Sequence, residues 1–186
     1  MERLNKDEIN MTDELKDIFD NVNNWLKFAE AKNATMIAGN GLVIFGVSKL
    51  ILMKDLCINE YLLYYIYFSL FMMTLSFVVA LISFIPNVKL PSYIFNNNEK
   101  KANNLLFFGS IMEYNEDNYL RDLKDALGLD NDDYKESKIN QMYANQIIIN
   151  SKIAMKKYKI FNMSLHFTLI AILSPILYLF FRLFND

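Results

Sequence analysis

Three stretches of this chain are each long and apolar enough to cross a bilayer, and nothing else in the sequence constrains the fold as strongly. Tyr61 to Val88 contains no charged side chain, and Ile160 to Phe181 contains no Asp, Glu, Lys or Arg. Ala34 to Met53 is interrupted only by Lys49, close to its end. A helix of about 20 apolar residues rises about 30 Å, which matches the hydrocarbon thickness of a membrane. A soluble core built from 186 residues has no use for three such segments. The pattern predicts an all-α membrane protein with transmembrane helices at 34–53, 61–86 and 160–182. Long helical cytoplasmic extensions and a small helical hairpin complete a single domain spanning 1–186.

Composition fits a chain divided between lipid and water, with 53% hydrophobic and 22% charged residues. A net charge of −2 argues against a nucleic-acid partner, because phosphate binding needs a basic surface. The single Cys57 cannot close an internal disulfide. No apolar h-region follows Met1, so no cleavable signal peptide is expected and the first span serves as the insertion signal.

Lysine and arginine set the orientation. Arg3, Lys6, Lys16, Lys27 and Lys32 precede the first span, and eleven basic residues lie between Lys89 and Lys159. Only Lys54 follows the first span, and only Arg182 closes the third. The positive-inside rule then places residues 1–33 and 89–159 in the cytoplasm and Asp186 outside. Lys152, Lys156, Lys157 and Lys159 crowd the entry to the third span, where they also meet anionic headgroups.

The first cytoplasmic piece reads as an amphipathic helix. Leu15, Ile18, Phe19, Val22, Trp25, Leu26 and Ala29 recur at steps of three and four, opposite Asp17, Asp20, Asn23 and Lys27. Thr12 is the expected N-cap, with Asp13 and Glu14 where the helix dipole favours negative charge. The stripe continues into the bilayer through Asn33, Met36 and Asn40. Carboxamides at that depth should face protein, as glue between helices or as the lining of a path. Gly39, Gly41 and Gly46 would permit close helix approach or a bend.

Pro86 and Pro91 end the second span, and a polar run that includes Asn96 to Lys101 follows. Two short helices are expected, at about 103–113 and 116–127, with Gly128 as a C-cap. A long last helix is then expected from about Asp132 to Leu183, with Asp130 or Asp132 at its start and a kink at Pro175. Ile139, Met142, Ile149, Ile153 and Ile160 share one stripe of it, with Gln146 between them. The stripes of the first and last helices exceed what one short hairpin can cover, which predicts a homo-oligomer. Three spans are also too few to enclose a water-filled path within one copy.

Catalytic chemistry finds no foothold in these residues. His166 is the only histidine, no His-Glu-x-x-His occurs, and Ser164 and Ser174 sit in no glycine-rich nucleophile turn. Asp130, Asp132, Asp133 and Glu136 fall near a calcium-loop spacing. Lys135 and Gln141, however, occupy the glycine and bidentate-glutamate positions that such a loop needs. No enzyme activity, cofactor or metal is expected. The residues that a pure membrane anchor would not need are the polar ones in the spans: Asn33, Asn40, Lys49, Asn162 and His166.

Four segments occur in order around the spans: Phe28-Ala-Glu-Ala-Lys-Asn-Ala, Asn104-Leu-Leu-Phe-Phe-Gly-Ser-Ile, Tyr119-Leu-Arg-Asp-Leu, and Gln146 through Tyr158. Together they resemble the Pycsar effector transmembrane-domain family of bacterial anti-phage systems. The resemblance implies an inner-membrane effector that stays quiet until infection and then compromises the membrane, in an abortive-infection response. It also implies a cyclic pyrimidine nucleotide from a partner cyclase as the trigger, and Lys32, Phe107, Phe108 and Lys152 as matching signal-coupling or packing residues. The cyclic-nucleotide-binding β-roll of some related effectors has no counterpart here. Any ligand therefore falls to the helical cytoplasmic part, or the signal comes from another protein. The competing expectation is a non-conducting adaptor that anchors a cytoplasmic defence partner.

Overall fold

The computed structural model describes residues 2–53, 59–85, 104–129 and 137–185, with side chains described from Met11 to Phe184. Lys54, Cys57, Pro86, Pro91, the Asn96–Lys101 run, Asp130 and Asp132 lie outside the described residues. Every regular element among the described residues is helical: α1 (Glu2–Ile51), α2 (Glu60–Ile82), α3 (Phe108–Ile111), α4 (Glu116–Leu127) and α5 (Lys138–Asn185). Three of these, α1, α2 and α5, are long and apolar enough to cross a membrane. The chain divides into two compact units, one of Met1–Phe28 with Asn87–Lys156 and one of Ala29–Pro86 with Lys157–Asp186.

The first unit has an apolar core of the kind water builds. Met11, Leu15, Ile18 and Val22 of α1 are buried in it, together with Ile147 and Ile148 of α5 and Leu120 and Leu123 of α4. Thr12 does not cap a helix start, because α1 already begins at Glu2. Its hydroxyl instead donates to Asn140 Oδ1 at 2.8 Å. Asn150 Nδ2 donates to Asn23 Oδ1 at 2.8 Å, and Phe19 meets the edge of Tyr143 at 5.8 Å.

The buried stripe of α5 is not the predicted one. Asn140, Ala144, Ile147, Ser151 and Ala154 are buried, whereas Ile139, Met142 and Ile149 are exposed. Both rows step by four and three, so periodicity alone cannot choose between them. The buried row carries the smaller side chains together with Asn140, whose carboxamide has a partner waiting on α1.

The small helices differ unequally from expectation. The segment predicted as 103–113 contains only the short α3, because Asn104 Oδ1 accepts from the backbone N–H groups of Leu106 (2.9 Å) and Phe107 (3.1 Å). That Asx turn satisfies donors a helix would otherwise have used. Helix α4 occupies the predicted residues. Asn115 caps it by accepting from Asn118 N at 2.8 Å, and Gly128 ends it at φ 68°. The Tyr119 hydroxyl crosses the hairpin to donate to Leu105 O at 3.0 Å. The described part of α5 starts at Lys138, later than expected, with the Ser137 carbonyl accepting from Asn140 N at 3.0 Å.

Candidate functional site

The second unit is built inside out. Leu42 (74% exposed) and Phe45 (71%) of α1, with Tyr64 of α2 and Leu177 of α5, turn outward, while the buried residues are small or polar. Ala29, Asn33 and Asn40 of α1, Ser76, Ala80 and Ser83 around α2, and Ser164 and Ala171 of α5 make up most of the interior. Apolar surface gains nothing by leaving lipid, so small residues that let backbones approach, and hydrogen bonds across helices, hold such a unit together.

Asn40, Ser76, Ser164 and Thr168 form the centre of this polar seam. Asn40 Nδ2 donates to Ser76 Oγ at 2.7 Å and lies 3.1 Å from Thr168 Oγ1. Ser76 Oγ donates to the Ser164 carbonyl at 2.7 Å, and it also lies 2.8 Å from Ser164 Oγ and 2.7 Å from Thr168 Oγ1. A hydroxyl has one donor and two acceptor sites, fewer than these four neighbours require. Two of the patterns these distances allow fill Ser76 Oγ. In one, Thr168 donates to Ser76 Oγ while Ser164 donates to Ser76 O (3.0 Å). In the other, Ser164 donates to Ser76 Oγ while Thr168 donates to Asn40 Oδ1 (3.2 Å). Rotating two hydroxyls interconverts them.

A second polar bridge lies at Pro175, which α5 passes through without a break. Proline has no N–H for the carbonyl four residues back, that of Ala171. Ser69 Oγ of α2 donates to that carbonyl at 2.6 Å, and Ser174 Oγ does so at 3.2 Å. A neighbouring helix thus restores what proline removes.

Where α2 ends, Lys157 of α5 collects three partners. Its Nζ donates to Ser83 O (2.9 Å), pairs with Glu30 Oε1 (3.2 Å) and lies 5.5 Å from the centre of the Phe84 ring. A lysine among the last carbonyls of a helix also opposes the negative end of its dipole. Asn33 lies close by in sequence register, with Nδ2 donating to Ala29 O (2.9 Å) and Lys157 O (3.2 Å). Lys32 Nζ stands 5.3 Å from the ring centres of both Tyr158 and Phe161.

Of the polar span residues singled out from sequence, Asn33 and Asn40 enter the interior. Lys49, Asn162 and His166 do not: all three are exposed, and His166 Nδ1 bonds only to the Asn162 carbonyl one turn back. Ser69, Ser76 and Thr168 were missed, while Ser164 had been weighed only as a nucleophile and Lys157 only as one of the basic residues at the entry to the third span. A signal existed for the serines, because Ser69, Met73, Ser76, Ala80 and Ser83 step by four and three along an otherwise large-residue span. Gly41 has the Phe77 ring 3.5 Å from where a Cβ would sit, whereas nothing lies near Gly39 or Gly46, so close approach inside this chain involves Gly41 alone.

In the first unit, Phe107 and Phe108 behave differently. Phe108 is buried and stacks at a tilt on Trp25 (5.5 Å) and on Phe107 (4.7 Å), while Phe107 stays 44% exposed. The Phe107 ring lies across Gly109, where a Cβ would collide with its Cε1. Partial burial pushes the Lys152 ammonium below the usual lysine range. No group of three or more metal-ligating side chains occurs among the described residues.

Residues 14–184 match the family model described as the Pycsar effector protein domain. No curated protein and no solved structure matches the chain.

Proposed function

Because this chain belongs to the Pycsar effector family, an anti-phage defence family of membrane proteins, we propose that it impairs the bacterial inner membrane when triggered. In this reading it assembles as a homo-oligomer, with its N-terminus and residues 89–159 in the cytoplasm and Asp186 outside. A cyclic pyrimidine nucleotide from a partner cyclase is the trigger. No catalytic step is involved.

One observation carries the reading: a hydrogen-bonded polar seam runs through the interior of three helices whose outer surfaces are apolar. Polar groups at membrane depth are costly, and they mark paths through the bilayer more often than anchors need them. The first unit, with Phe107 and Trp25 partly exposed beside the buried Phe108, offers aromatic faces on which a pyrimidine base could stack. The adaptor reading draws on a different fact. Each seam donor already has an acceptor within the chain, which is how interhelical glue behaves.

Membrane potential separates the two. Cells expressing the chain with a cyclase that makes a cyclic pyrimidine nucleotide should lose potential-sensitive dye fluorescence before growth stops. Growth arrest at full potential would favour the adaptor.

A further inference from the structure

We propose that the face of α5 formed by the exposed Ile139, Met142, Gln146 and Ile149, and continued by the half-buried Ile153, is the contact through which copies of this chain join, as a parallel, in-register coiled coil. This rests on the homo-oligomeric reading above and gives it a surface.

Ile139 is 55% exposed, Met142 65% and Ile149 36%. The five positions step by three, four, three and four, the repeat of a coiled-coil seam. Ile139, Gln146 and Ile153 then take one of the two core positions of the heptad, and Met142 and Ile149 the other. The neighbouring row of α5 (Asn140, Ala144, Ile147, Ser151, Ala154) is already buried within the unit. Residues flanking the exposed row on that side are likewise committed, Tyr143 against Phe19 and Asn150 to Asn23. Helix α5 therefore carries two adjacent heptad rows, one used by its own chain and one left open among the described residues.

A second copy fits the open row better than another partner does. Helix α5 is continuous from Lys138 into the apolar third span, so every copy inserted with the same topology presents this row pointing the same way at the same height. Parallel, in-register pairing of identical rows then requires no further specification. A complex that is stable in solution buries about 800 Å² per partner. Copies confined to one bilayer meet at high effective concentration, which removes that requirement. Gln146 supplies register. Its Nε2 is held by Asn150 Oδ1 at 2.9 Å, which leaves its Oε1 to face the same residue of the next copy. A single polar residue in an apolar seam fixes alignment at some cost in stability.

The test uses the full chain in native membranes, with Cys57→Ser as the background. Met142→Cys and Ile149→Cys are compared with Asp125→Cys, on the exposed side of α4, under mild copper-catalysed oxidation. The expected result is at least fivefold more disulfide-linked dimer at Met142 and Ile149 than at Asp125, with Gln146→Glu reducing it. Equal yields at all three positions, or no linkage at Met142 and Ile149, would overturn the seam. Dye measurements on the same cells keep the readings apart. Loss of potential without seam linkage rejects the seam and leaves the membrane role standing; linkage without loss of potential keeps the seam and rejects that role.

Discussion

Single polar atoms carry the interior of the membrane unit, and their contributions can be separated. Ser69 answers Pro175 through the Ala171 carbonyl. Ser69→Ala should leave that carbonyl underbonded and cost about 1 kcal/mol. Pro175→Ala in the same chain supplies an N–H for the carbonyl and should recover most of the loss. A double-mutant cycle on thermal stability in detergent measures the coupling, and simple additivity would disprove the bridge. Asn40→Leu removes the donor shared by Ser76 and Thr168. It should lower stability by about 0.6–2 kcal/mol and broaden the oligomer distribution seen by native mass measurement. Asn40 was legible in the sequence because a carboxamide in a span is conspicuous. Thr168 was not, since its hydroxyl can bond its own helix and leave no trace in the pattern, and Ser76 was marked only by the small-residue spacing along α2.

At the scale of elements, α4 and the turn before it depend on Tyr119. Its side chain is fully buried, and burial, then the nearby Tyr114 and Glu14 charges, raise its ionisation well above the ordinary tyrosine value of 10.0. The folded state holds the neutral form, so this contribution is complete below pH 10 and is lost as pH rises above it. The stability of the helical unit against denaturant, followed by circular dichroism, should therefore begin to fall near pH 10. Tyr119→Phe should flatten that limb while lowering stability at pH 7 by about 1 kcal/mol, through the loss of the bond to Leu105 O. Helix α4 was readable because Tyr119, Leu120, Leu123 and Leu127 step along it and Gly128 ends it. Helix α3 was not, because Asn104 diverts the backbone by a side-chain bond that periodicity does not register. The face of α5 was misassigned for a related reason. Hydrophobicity ranked Ile139 and Met142 above Ala144 and Ala154, but a close helix contact selects the small side chains.

Across the whole molecule, the division between units coincides with a change in what burial means. Residues buried in the Met1–Phe28 and Asn87–Lys156 unit are mostly large and apolar, while those buried in the other are mostly small or polar. The topology proposed above is open to direct measurement. A fluorescent protein fused at Met1 should mature in the cytoplasm, and alkaline phosphatase fused after Asp186 should be active outside. The reverse pattern would contradict the lysine and arginine distribution. Two interiors of opposite character should also absorb heat differently. Melting the first unit wets apolar side chains and so raises the heat capacity in the usual way. Parting the three helices of the second within lipid wets almost none. Its transition should therefore show a nearly flat heat-capacity baseline, and cooling should not weaken it as cold weakens assemblies held by water.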